Sequence, residues 1–134
     1  MQNNEPIWFN KEKPNKDTYQ TIKSGNVVTE VNLGGKPKYK IMVCTPCHSD
    51  VSMHYTQAVL KFQQECIRNN ILVSFTLLKS SLVTQGRNLC VADFLNHEHE
   101  YEYLLFIDSD IDFQFSTIMK LLEKDKDVIA CPYP

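Results

Sequence analysis

From residue 38 onward the chain switches regularly between two hydrophobic periods. Residues 39–45 (YKIMVCT) form a short apolar, β-branched run ended by Pro46, the pattern of a buried strand. Ser52 then heads a segment in which Met53, Thr56, Val59, Leu60, Gln63 and Ile67 recur at helical spacing as far as Asn69 and Asn70, with the serine placed as N-cap. Residues 71–78 (ILVSFTLL) predict a second strand, residues 88–95 (NLCVADFL) a second helix and residues 103–107 (YLLFI) a third strand. A third helix opens at Ser116 and runs through Ile118, Leu121 and Leu122, and residues 127–131 (DVIAC) predict a fourth strand. Strands that are apolar on both faces and alternate with helices predict an α/β fold. It has three layers, a mainly parallel sheet with helices on both faces and right-handed crossovers. In such sheets ligands bind beyond the carboxyl ends of the strands.

Residues 1–37 lack this patterning. They collect Asn, Lys, Gly and Pro into a polar N-terminal arm, in which only residues 27–31 (VVTEV) offer a short edge strand. The domain division is therefore 1–37 and 38–134.

Composition narrows the picture. A chain of 134 residues, 43% hydrophobic, has room for one domain with a core. Fourteen basic residues against 16 acidic ones leave a net charge of −2, which gives no broad basic face for nucleic acid. The first residues show no basic, apolar leader pattern, and the apolar runs are too short to span a bilayer, so the expectation is a soluble protein of the cytoplasm. Five cysteines, an odd number, read as reduced thiols in that compartment.

The most informative polar residues follow the third strand. In Leu104-Leu-Phe-Ile-Asp108-Ser-Asp110-Ile-Asp112, an apolar run delivers Asp108 and Asp110 two residues apart, a spacing that in extended chain points both carboxylates to one side. Hard oxygen ligands of this kind suit Mg²⁺ or Mn²⁺, completed by phosphate oxygens and water. An EF-hand is excluded because its sixth and twelfth positions would be Phe113 and Met119, and a P-loop because Glu30 and Pro37 stand where its Gly and Ser/Thr belong. A phosphatase of the haloacid-dehalogenase type would need more chain after Asp110.

Two further segments matter. Ser80-Ser-Leu-Val-Thr84-Gln-Gly86-Arg87-Asn88 leads toward the second helix, with Gly86 permitting close approach and Arg87 offering a planar fork either to phosphate or to a carboxylate such as Asp108 or Asp110. Cys44-Thr45-Pro46-Cys47-His48 contains a CxxC, which opens a thiol–disulfide oxidoreductase reading centred on Cys44 and Cys47, or a zinc site with nearby histidines.

Taken in order, Cys44-Thr45-Pro46, the segment from Ser81 to Asn88, the Asp108-Ser-Asp110 segment, Asp125-Lys-Asp127-Val and Cys131-Pro-Tyr133-Pro134 resemble the GT-A glycosyltransferases. The resemblance is to the family-2-like type found in large DNA viruses, phages and bacteria, and it covers about residues 38–134. It implies a Rossmann-like nucleotide-binding half in which Asp108 and Asp110 match the DxD element that holds Mn²⁺ or Mg²⁺ against a nucleotide-sugar diphosphate. It also implies that Thr45 and Pro46 lie along the donor nucleotide and that Arg87 lies near the donor phosphates. The acceptor, a glycan, protein or lipid, is not specified. The chain stops at Pro134, before the region that supplies acceptor contacts and a catalytic base in that family. The expectation is thus a donor-binding half completed by further sequence or by a partner chain. The alternatives are a non-catalytic or split remnant and the thiol oxidoreductase.

Overall fold

The computed structural model describes residues 27–31, through their backbone, and residues 35–132. Most of the N-terminal arm, and Tyr133 and Pro134 of the last motif, lie outside the described residues. Four strands and three helices follow in the order β1 (Val27–Val31), β2 (Lys40–Cys47), α1 (Met53–Arg68), β3 (Leu72–Lys79), α2 (Val83–Asn96), β4 (Tyr103–Phe106) and α3 (Phe115–Glu123). They form one sheet in the order β1-β3-β2-β4. β2 pairs in parallel with β3 and β4, and β1 joins antiparallel along the outer side of β3. The α/β reading and the edge strand at residues 27–31 hold.

Alternation along β2 builds a core on each face of the sheet. Ile41 and Val43 pack with Tyr55, Phe62 and Cys66 of α1 and Ile118 of α3, whereas Met42 and Cys44 pack with Cys90 of α2. Helices therefore cover both faces. The first core is aromatic: Phe62, fully buried, meets Phe75, Phe113 and Phe115 at ring-centroid distances of 6.3, 5.6 and 5.8 Å.

α1 is a helix with matched ends. The Ser52 hydroxyl accepts from the Tyr55 N–H at 3.1 Å, as its N-cap position predicts. At the other end Asn70 takes φ 52°, a left-handed conformation that asparagine tolerates, while Ile71 N–H reaches Cys66 O at 2.9 Å and Asn70 N–H reaches Ile67 O at 3.3 Å. This pair of bonds satisfies the last carbonyls and turns the chain directly into β3.

Four boundaries differ from the pattern-based expectation. β2 runs through Pro46 to Cys47 instead of ending before the proline. Pro46 is paired by register with Leu78 of β3, and its missing N–H falls on the β4 side, where the last ladder bond is Ile107 N–H to Cys44 O at 3.2 Å. A proline there removes no bond from the β3 ladder, and β4 leaves the sheet at that level. α2 begins at Val83, five residues before the expected start at Asn88, so Gly86 and Arg87 lie within its first turns. α3 begins at Phe115, one residue earlier than Ser116.

The fourth difference is the missing last strand. Residues 127–131 pair with no described strand, and Val128 is 90% exposed. A β-branched run confers propensity but stays a strand only where a neighbour accepts its backbone bonds. After α3 the chain passes through Asp125 at φ 48° and finds no such neighbour among the described residues.

Candidate functional site

The order of the sheet locates the site. From β2 the chain crosses through α1 to β3 on one side, then returns through α2 over the opposite face to β4 on the other side. The direction of winding thus reverses at β2. The edge beyond the carboxyl ends of β2 and β4 is the place where open α/β sheets bind ligands.

Three segments meet there. β4 ends at Phe106, Ile107 is buried, and residues 108–111 close a turn in which Ile111 N–H donates to Asp108 O at 3.2 Å. Asp108 and Asp110 are therefore carried on a turn and not on extended chain, which corrects the premise that an alternating backbone aligns them. Asp108 is partly exposed and Asp110 and Asp112 are exposed.

The turn is held on every side. Below it, Ile107 anchors in the α1-side core; beyond it, Ile111, Phe113 and Phe115 face inward while Asp112 and Gln114 face out. Phe113 lies against Tyr55 and Phe62 of α1. Laterally, the Ser52 backbone N–H donates to Ser109 O at 2.9 Å, tying the turn to the start of α1. The polar tip consequently rests on a rigid support, the condition for presenting ligands in fixed geometry.

Arg87 approaches from α2. Its Nη2 lies 3.3 Å from Asp108 Oδ1, with the two side chains 48% and 37% exposed, so the pair is in contact with solvent. Of the two partners the sequence left open for this arginine, a carboxylate is the one it reaches. Gly86 sets the height of the helix: a Cβ built there would lie 3.1 Å from both Pro46 Cβ and Ser80 Cβ. Only glycine lets the first turn of α2 sit this close to the end of β2. Leu82, the N-cap, supplies no side-chain bond to the helix N-terminus, while Ser80 braces the preceding turn by donating from Oγ to Leu82 O at 2.7 Å.

Thr45 and Pro46 occupy different levels. Thr45 is fully buried and hydrogen-bonds through its hydroxyl to the Tyr55 phenol, so its side chain belongs to the core beneath the turn. Burial raises the Tyr55 pKa, and the Thr45 bond partly opposes that shift. Pro46, half-buried, lies near the end of β2 against Gly86. Sequence reasoning assigned Ser52 only to a helix cap and missed its bond to the turn. A serine cap fixes a helix start but carries no signal of the distant carbonyl its N–H will meet.

The cysteines do not form a redox pair of the CxxC kind. Cys44 and Cys47 are three residues apart within β2, which places them on opposite faces and about 10 Å apart at ~3.3 Å per residue. A disulfide needs Cα atoms about 4.4–6.8 Å apart. Cys44 instead donates to the Cys90 sulfur beneath α2, and that bond together with burial pushes its pKa far above the ordinary thiol range. The five thiols are free.

Among the described residues no group of three or more His, Cys, Asp and Glu side chains is arranged to hold a metal, which leaves the zinc reading without a ligand set. No helix among them is long and apolar enough to cross a membrane. Comparison with protein-family models, with curated proteins and with solved structures gives no match.

Proposed function

We propose that the edge beyond β2 and β4 binds the diphosphate of a nucleotide-sugar donor together with Mn²⁺ or Mg²⁺, and that the chain is the donor-binding part of a GT-A-type glycosyltransferase acting in the cytoplasm. The observation that supports this reading is the pairing of Arg87 with Asp108, on the turn that also carries Asp110, at the point where strand order reverses. The donor set fits the ion: two carboxylates on one supported turn offer hard oxygen ligands, and such cations need only one or two carboxylates when phosphate and water complete the shell. Asp108 and Asp110 would hold the cation. When bound, it supplies electrostatic stabilisation to a departing nucleoside diphosphate.

The chain's own residues do the remaining work. The Arg87 guanidinium offers a planar donor pair to phosphate oxygens, and α2, which starts four residues before it, carries no side-chain cap from Leu82 at its positive end. Pro46 and Gly86 keep α2 close to β2, and Thr45 with Tyr55 braces the core under the turn. The sugar acceptor would be a glycan, protein or lipid, and no residue of this chain is assigned as the catalytic base.

The test is thermal unfolding with uridine or guanosine diphosphate, with and without Mn²⁺. At about 100 times the dissociation constant, binding adds roughly 2.7 kcal/mol to the folded state. Asp110→Asn should remove the metal-dependent part of that shift and leave the unliganded melting temperature unchanged, since Asp110 is exposed. Absence of any metal-dependent shift in the folded chain refutes the reading. A binding-competent chain that releases no nucleotide with any acceptor would instead support a split or non-catalytic donor-binding unit.

A further inference from the structure

The pairing of Arg87 with Asp108 bears on how the cation arrives, and this inference rests on the donor-site reading above. We propose that Arg87 makes cation capture conditional on the diphosphate: its guanidinium holds Asp108 in the ligand-free chain, so a bare divalent cation binds weakly, and cation and diphosphate enter together as Arg87 turns from carboxylate to phosphate.

Three observations carry the argument. First, the contact is a replaceable one. Its 3.3 Å separation is at the long end for a charged hydrogen bond, and both side chains are partly exposed, so water and other anions compete for the guanidinium. Second, the backbone beneath Arg87 is fixed while the side chain is not. Gly86 seats the first turn against Pro46 and Ser80, so the arginine can change partner without moving the helix. Third, an arriving cation meets the arginine as well as the aspartates. With Arg87 on Asp108, the two aspartates and the arginine present a net charge of −1 to a cation, and the cation must displace or share a carboxylate already in use. A diphosphate is a stronger bidentate partner for guanidinium than one carboxylate oxygen at long range. Its arrival takes Arg87 off Asp108 at the same moment as it brings further oxygen ligands for the metal.

In this role Arg87 differs from a simple phosphate anchor. An anchor for phosphate would leave the affinity for bare cation untouched when removed; a competitor for Asp108 would raise it. The two affinities should therefore move in opposite directions in one variant.

The experiment titrates Mn²⁺ alone, followed by electron paramagnetic resonance of the free ion, and then uridine and guanosine diphosphate at saturating Mn²⁺ by calorimetry. Arg87→Gln should bind Mn²⁺ alone about 2- to 5-fold more tightly than the unmodified chain. It should bind the diphosphates about 10-fold or more weakly. Arg87→Lys, which keeps the charge and loses the fork, should leave Mn²⁺ affinity near that of the unmodified chain while still weakening the diphosphates. Unchanged or weaker Mn²⁺ binding by Arg87→Gln overturns the proposal. The failure of the underlying reading looks different: diphosphate binding that is indifferent to Asp110→Asn and to Mn²⁺ in the unmodified chain.

Discussion

Replacing Gly86 by alanine sets two known effects against each other at one atom. In a helix interior alanine is favoured over glycine by about 1 kcal/mol, because glycine loses more backbone freedom on folding. Against this, the added Cβ would lie 3.1 Å from Pro46 Cβ and 3.1 Å from Ser80 Cβ. Both contacts are with atoms bonded directly to backbone, one of them in the central strand, so neither can swing aside. Relief requires α2 to lift by a few tenths of an ångström, and overpacking of this kind costs about 1–3 kcal/mol. The overpacking is doubled here and wins. Gly86→Ala should destabilise the chain by about 1 kcal/mol, seen as a fall in melting temperature of roughly 3–5 °C for a chain of this size. Gly86→Val, which adds branching at the same place, should cost about 3 kcal/mol. The origin is separable by a double-mutant cycle in urea. Ser80→Gly removes one of the two obstructing Cβ atoms, so Gly86→Ala should cost less in that background, with a coupling of about 0.5–1 kcal/mol. A melting temperature raised by Gly86→Ala, or a cycle with no coupling, would refute the argument that a close α2–β2 approach fixes the position of Arg87.

Thr45→Val leaves the buried Tyr55 hydroxyl without its partner and should cost about 1–3 kcal/mol in urea unfolding, whereas the double variant with Tyr55→Phe should recover most of that loss. Burial pushes the Cys66 thiol up to about 12 from 9.0, so the folded chain keeps a proton that the unfolded chain releases above pH 9. That contribution is complete below pH 9 and is lost as pH rises toward 12, at about 1.4 kcal/mol per pH unit; Cys66→Ala, though less stable at neutral pH, should show a correspondingly shallower decline in denaturation experiments across that window. A thiol reagent applied to the native chain should modify Cys131 and Cys47 quickly and Cys44, Cys66 and Cys90 only on unfolding, as read by mass spectrometry.

Elements whose signals are local are readable from the chain alone. The alternation of apolar runs set β2, β3 and β4 to within one or two residues, and Ser52 and the Asn69-Asn70 pair marked both ends of α1, because caps act within a turn of the residue that makes them. Asp108, Asp110 and Arg87 were legible as candidates from residue type and from their place after apolar runs. What depends on distant partners was set by packing. Residues 127–131 have the composition of a strand but no neighbour to pair with, and Pro46, which reads as a stop, lies in a strand because its bare nitrogen falls where β4 has already departed. Thr45 is a polar residue next to that edge in sequence and a core residue in space, since strand alternation turns it toward Tyr55. The pairing of Arg87 with Asp108 across 21 positions, and the tie from Ser52 to the turn that carries both aspartates, arise from the way α1 and α2 pack on opposite faces of one sheet. Local pattern fixes torsions and periodicity, whereas contacts between segments follow from which faces find apolar cover, and no single segment encodes that.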